Sequence, residues 1–275
     1  MISSKTIKKN LFQIYALTEK NIKLNLRFKY QVIISYITPI LSILMPLIIL
    51  EQFFQFSERF NFSVWNENNY LVFQFMAYQV LLLKRVIQEF PTQLRIEKFW
   101  KTLPIIIIAP FNRFNLLLGI FFTQLILISI PFIIFSILCY IYYPVSFLTV
   151  IFIIIIFFLI ALIFSGIGLL IGIFAISNEN VWKALSFIVS LIFWVSCVTY
   201  PFDIFPEFIQ QIINLNPLYY IFDLLRLAWI YNDVLLTITL LSQNFIILIA
   251  FSIILPCLGV VIFNLIYKKY GIVGY

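Results

Sequence analysis

FPEFIQQIINLNPLYYIFDLLR, residues 205–226, lies between two long apolar runs of a chain in which charge is scarce. It carries two carboxylates, one arginine, two glutamines and two asparagines. Whether this stretch crosses a membrane decides how often the whole chain does, and so on which side each tail lies.

Pro206 suits the first turn of a helix. Glu207, Gln210, Gln211 and Asn214 then recur at helical spacing on one face, with Phe208, Ile209, Ile212 and Ile213 on the other. Such a helix lies along a surface or lines a cavity. Asn216 ends it, because a residue before proline is pushed out of the helical region. The same pair starts a second helix, with Asn216 as its N-cap and Pro217 at its first position. Asp223 and Arg226, three apart, then share a face and can pair. A helix of about ten residues rises about 15 Å, half the hydrocarbon thickness. Two half-depth helices therefore predict a re-entrant hairpin over about 204–230; a plain amphipathic loop outside the bilayer is the alternative.

Working outward, 63% of the 275 residues are hydrophobic, 19% aromatic and only 11% charged. An ordinary soluble domain is about 45–50% apolar and about 25% charged. The chain is thus expected to be an all-α polytopic membrane protein with no second globular domain. The net charge of +7 does not indicate nucleic acid, because the basic residues punctuate apolar segments instead of gathering on one face. Cys139, Cys197 and Cys257 are far apart in apolar runs and read as packed thiols. With no histidine, the commonest metal ligand and proton shuttle is absent.

A crossing helix needs about 20 apolar residues. Charge-free stretches give one span from Tyr30 to Leu50 and a shorter one from Asn68 to Leu83, which Lys84 and Arg85 can extend by snorkelling. No charge occurs between Arg113 and Glu179, a length that needs two spans joined at YIYYPVS, 140–146. Two more follow at about 183–200 and 243–267. Six spans with both tails cytoplasmic put sixteen Lys/Arg inside and only Arg59 and Arg226 outside, as the positive-inside rule asks. A seventh crossing at 204–230 would move Lys268 and Lys269 outside.

Residues 1–30 mix Ile7, Leu11, Ile14, Ile22 and Leu26 with Lys8, Lys9, Lys20, Lys23 and Arg27. That pattern predicts an amphipathic helix on the inner lipid surface ahead of the membrane domain, 31–275. A cleaved signal peptide is not expected, since the apolar run starts late and continues long. The loop at about 88–113 is the one sizeable cytoplasmic stretch between spans. Arg95, Glu97, Lys98 and Lys101 alternate in sign around Phe99 and Trp100, which suits a helix docking on a cytoplasmic partner; a solvated connector is the plainer reading.

No GxxxxGK[ST] phosphate cradle exists in the chain. SGIGLLIG, 165–172, lies inside a charge-free span, where Gly168 and Gly172 form a helix-packing face. The span interiors offer Gln74, Gln79, Gln124 and hydroxyls but no ionisable group for ion coupling. Catalysis by the chain itself is not expected. Asn61-Phe62-Ser63 is a glycan acceptor triplet in the predicted outer loop.

Three places resemble the membrane subunits of type-2 ATP-binding-cassette exporters, the ABC-2 permeases. One is the basic N-terminal helix running into YQVIISYITPIL. Another is KTLPIIIIAPFNRFNLLLG, similar to the family stretch after the second span, with Thr102, Leu103, Pro110, Arg113 and Gly119 in register. It departs at Lys101, where the family often has glycine, and at Pro104, where it often has glutamate. The most specific is the opening stretch, which resembles the family's pattern before the last span at Pro206, Asn216, Pro217, Leu218, Tyr220 and Arg226.

The resemblance implies half of a transporter. A second copy or a related permease would share the pathway, and two separate ATPase subunits, holding ATP and magnesium, would drive it. Cargo in the family is a lipid, drug, glycan or peptide. It implies ATPase coupling through Arg95, Glu97, Lys98, Trp100, Thr102, Leu103, Pro110 and Arg113, and an outer gate built on the hairpin with Pro206, Glu207, Asn216, Pro217, Tyr220, Asp223 and Arg226. The competing class is an ATP-independent membrane protein such as a scramblase, insertion factor or scaffold, which needs no ATPase partner.

Overall fold

The computed structural model describes residues 4–56, 64–66, 68–101, 113–177 and 179–270. Among them the chain forms ten α-helices and no strand. These are α1 (Ser4–Arg27), α2 (Lys29–Phe56), α3 (Tyr70–Phe99), α4 (Arg113–Tyr142) and α5 (Phe147–Ser177). The remainder are α6 (Glu179–Trp194), α7 (Glu207–Asn214), α8 (Pro217–Tyr231), α9 (Val234–Leu240) and α10 (Ser242–Tyr270).

Five helices are long and apolar enough to cross a bilayer: Lys29–Gln52, Tyr70–Phe99, Phe114–Tyr142, Phe147–Ala175 and Ser242–Leu265. The expected sixth, at about 183–200, is instead the shorter apolar helix Val181–Trp194. Its physical cause lies in one carbonyl. Ile192 O accepts from Ser196 Oγ at 2.5 Å and from Asn216 Nδ2 at 2.9 Å, while the Ser196 amide bonds to Phe193 O instead. Side chains have taken the acceptor that the next α-helical bond needs, and Cys197 turns the chain with φ 51°.

The predicted turn at 140–146 is present: α4 ends at Tyr142 and α5 starts at Phe147. The second span goes further than the expected extension over Lys84 and Arg85. It does not stop near Leu83; α3 runs on as one helix through Lys84, Arg85 and Pro91 to Phe99, so the first half of the expected loop at 88–113 is helical. Lys84 donates to Ser190 Oγ at 3.1 Å and Arg85 to Ser35 Oγ, so both cations meet neighbouring helices.

At the centre, α5 lies between α3 and α10. A Cβ on Gly168 would fall 2.8 Å from Ile87 O, and one on Gly166 2.6 Å from Pro256 N. Only hydrogen at these positions lets backbones approach so closely. A Cβ on Gly172 would meet Leu94 Cδ1 at 2.9 Å. Most of the buried apolar side chains, from Ile43 on α2 to Phe263 on α10, join one continuous cluster.

Helix α1 packs along α4. Leu17, Thr18 and Asn21 are buried, whereas Ile7, Leu11, Phe12 and Tyr15 are exposed. Several of its apolar side chains therefore face outward, while Leu17 with the polar Thr18 and Asn21 faces the bundle.

Candidate functional site

Two ends of the bundle hold the residues singled out in the sequence. The first joins α1, the last turns of α3, and the starts of α4 and α6. Glu97, only 1% exposed, pairs with Lys20 of α1 and accepts from Gln93 Nε2 at 3.2 Å. Gln93 Nε2 also donates to Asn21 Oδ1 at 3.3 Å. Glu97 therefore faces inward, where the sequence suggested an outward contact. Asn115 of α4 adds Nδ2 bonds to Asn10 Oδ1 at 3.1 Å and Gln13 Oε1 at 2.6 Å. On the solvent side of α1, the Glu19 carboxylate accepts from Lys23 at 2.6 Å and raises its pKa above the ordinary ammonium value.

Arg95 lies over the Trp182 ring at 4.7 Å, linking α3 to α6. Lys98 is half-buried in the last turn of α3. Phe99 and Trp100 are 83% and 49% exposed, side by side at the tip. Lys101 follows with φ 57°, the left-handed conformation common just past a helix end and favourable for glycine. That gives a backbone reason for glycine at the corresponding place in the family pattern. Thr102, Leu103 and Pro110 lie outside the described residues, as does the Asn61 triplet; Arg113 begins α4.

The other end gathers the start of α3, residues 195–204, α7 and α8. The break within the opening stretch falls where the sequence put it. Asn216 accepts from the Leu218 amide at 3.0 Å as N-cap of α8, and Pro217 occupies the first turn. The same side chain donates through Nδ2 to Ser196 Oγ at 2.8 Å as well as to Ile192 O, so one residue starts α8 and closes α6. Pro206 is the N-cap of α7 and stands just ahead of the helix, with Glu207 in the first turn. Tyr220 donates to Asn214 O at 2.9 Å, tying α8 to the end of α7. Ile213 is buried, while Phe208 is 71% exposed and Leu215 is exposed with it.

Arg226 is 2% exposed. Its Nη1 donates to Cys197 O at 2.8 Å and its Nη2 to Val198 O, and the guanidinium stacks on Phe73 at 4.0 Å. The expected pairing with Asp223 is thus replaced by backbone acceptors. A buried cation is costly unless hydrogen-bonded, and non-helical backbone deep in a membrane protein needs donors inside the protein; here each need meets the other. Nε of Arg226 has no partner.

Beside Arg226 opens a cavity of about 190 Å³, also lined by Asp203 and Asp223. Trp65, Phe202, Tyr219 and Tyr231 form aromatic walls. Trp65 meets Phe73 edge-on at 4.8 Å, and Phe202 stacks on Tyr219 at 5.3 Å. The far end of α8 is pinned to the α4–α5 turn: Trp229 donates to Tyr143 O at 3.0 Å, and Asn232 Oδ1 accepts from the Ser146 amide at 2.6 Å.

Sequence reasoning missed Gln93, Asn115 and Trp182 because each is a common surface-type residue or a lone aromatic, and it put Lys20 on a lipid-facing basic side where the structure pairs it with Glu97. It also missed the carbonyls of Cys197 and Val198, which no side-chain pattern can reveal. No cluster of metal-ligating side chains occurs among the described residues.

A bundle of long apolar helices, broken near one end and carrying a basic, partly exposed other end, defines a multi-pass membrane protein of the transport class. The chain belongs to the ABC-2 type transporter family, whose sequence pattern matches residues 12–229, from α1 through most of α8. Comparison with proteins of curated function returns no match.

Proposed function

We propose that this chain is the permease subunit of an ATP-driven exporter that moves a lipid, drug, glycan or other amphiphile out of the cytoplasm or inner leaflet. It works with a second copy or a related permease and with two separate ATPase subunits, which bind ATP and magnesium. It resides in the cell membrane with both tails cytoplasmic. The observation that carries this reading is the family match over 12–229 in a chain that has no phosphate-binding loop of its own.

In this arrangement α6 is the sixth crossing, completed by the irregular residues 195–200, and α7 with α8 forms the outer hairpin. The basic end, with α1 and the tip of α3, faces the ATPase. Movement of the ATPase can bias the permease only through surfaces that differ between its states. Exposed Phe99 and Trp100 supply the docking surface, and Glu97, turned to Lys20, keeps α1 attached to the moving end of α3.

Trp100→Ala, purified with the ATPase subunit, is expected to fold normally and to weaken their association about tenfold or more, with loss of amphiphile-stimulated ATP turnover. Unchanged association and turnover would remove the docking assignment. Cargo movement by the chain alone in nucleotide-free vesicles would replace the exporter reading with that of a scramblase.

A further inference from the structure

The cavity beside Arg226 has an unusual set of walls. Two carboxylates, Asp203 and Asp223, line it together with one guanidinium, whose Nη atoms are already engaged by Cys197 O and Val198 O. Its Nε–H is a buried donor without an acceptor. With that nitrogen enclosed, the guanidinium acts on the cavity as a fixed positive charge, weakly screened by its buried surroundings. The remaining surface is aromatic: Phe202 and Tyr219 stacked on each other, with Trp65 and Tyr231 beside them. Aromatic faces next to carboxylates attract alkylammonium groups, and quaternary ammonium most of all. The volume of about 190 Å³ falls below the range of about 300–1,000 Å³ for drug-sized ligands. It suits a headgroup, not a whole amphiphile.

We infer that this cavity binds a zwitterionic ammonium phosphate: the ammonium lies between Asp203, Asp223 and the Phe202–Tyr219 pair, and the phosphate lies on the Arg226 side, held by the charge of the guanidinium. Asp223 and Arg226 are one helical turn apart on α8, so the two charges of the ligand meet opposite charges on adjacent rungs. The ligand is either a lipid headgroup or a free amino-alcohol phosphate. The site does not depend on the exporter reading, because binding is measured on the chain without ATPase or nucleotide.

The test titrates phosphocholine into the full chain held in nanodiscs of phosphatidylglycerol, a lipid without ammonium, and follows tryptophan emission. Trp65 forms part of the wall, so Trp65→Phe should remove the signal. Saturable binding is expected, weakened about tenfold or more by Asp223→Asn and by Asp203→Asn, since each removes a charge-assisted contact. Asp203 is exposed, so its variant tests the site even where the Asp223 variant misfolds. Choline alone and inorganic phosphate alone should each bind about tenfold or more weaker than phosphocholine. Equal binding by the wild type and Asp203→Asn, or equal saturation by inorganic phosphate, would overturn the inference. Repeating the titration in phosphatidylcholine nanodiscs separates the two sources. A shifted starting emission with no further response identifies the lipid headgroup, and an unchanged titration identifies the free ligand.

Discussion

The two ends of the bundle are stitched in different ways. At the basic end, α1, α3 and α4 meet through side chains on both sides: Lys20 with Glu97, Gln93 with Asn21, and Asn115 with Asn10 and Gln13. At the other, single side chains reach backbone carbonyls: Asn216 to Ile192 O, Arg226 to Cys197 O and Val198 O, Gln74 to Thr199 O. The first seam spreads its hold over many exchangeable amides. The second concentrates it in a few side-chain donors that serve carbonyls where the helical ladder is broken. A seam of the first kind tolerates loss and rearrangement, whereas one of the second kind fixes a geometry.

The sharpest way to break that contrast is Arg226→Leu. It strands two buried carbonyls, at about 1–3 kcal/mol each, read as a large fall in the thermal midpoint of the detergent-purified chain. Gly168→Val comes next. Its Cβ would already fall 2.8 Å from Ile87 O, and overpacking of this kind costs about 1–3 kcal/mol, measurable in the same melt. Glu97→Ala should cost less, about 1 kcal/mol, because Lys20 is partly exposed and solvent takes up much of its charge, and because Gln93 keeps Asn21 as a partner. A loss larger than that of Arg226→Leu would reverse the comparison. Lys101→Gly completes the series with a gain of about 1 kcal/mol, from relief of the left-handed backbone at φ 57°.

Much of this was legible in the sequence. Charge-free length located four of the five long helices within a few residues, and the aromatic turn at 140–146 fell where it was expected. Asn216 and Pro217 marked the break in the opening stretch, because N-cap chemistry and the proline ring act locally. The errors came where tertiary contacts override local signals. Lys84 and Arg85 looked like the snorkelling end of a span but find hydroxyl and aromatic partners on α2 and α6, so α3 continues well past them. Residues 195–200 looked like the end of a span, yet Asn216, twenty residues later, takes the carbonyl the helix needs. Glu97 looked like part of a docking face because sequence alternation cannot say which side of a helix is covered by another.

The shortness of α6 also concerns the lipid. Its apolar part, Val181–Trp194, rises about 21 Å against a hydrocarbon layer of about 30 Å. Phe187, Ile188, Leu191 and Trp194 on it are exposed. Acyl chains resting on that face find a hydrophobic wall lower than themselves. With α6 as a crossing, as proposed, the leaflet would dip there to meet it, drawing headgroups below their usual plane beside the very helix whose end α8 closes.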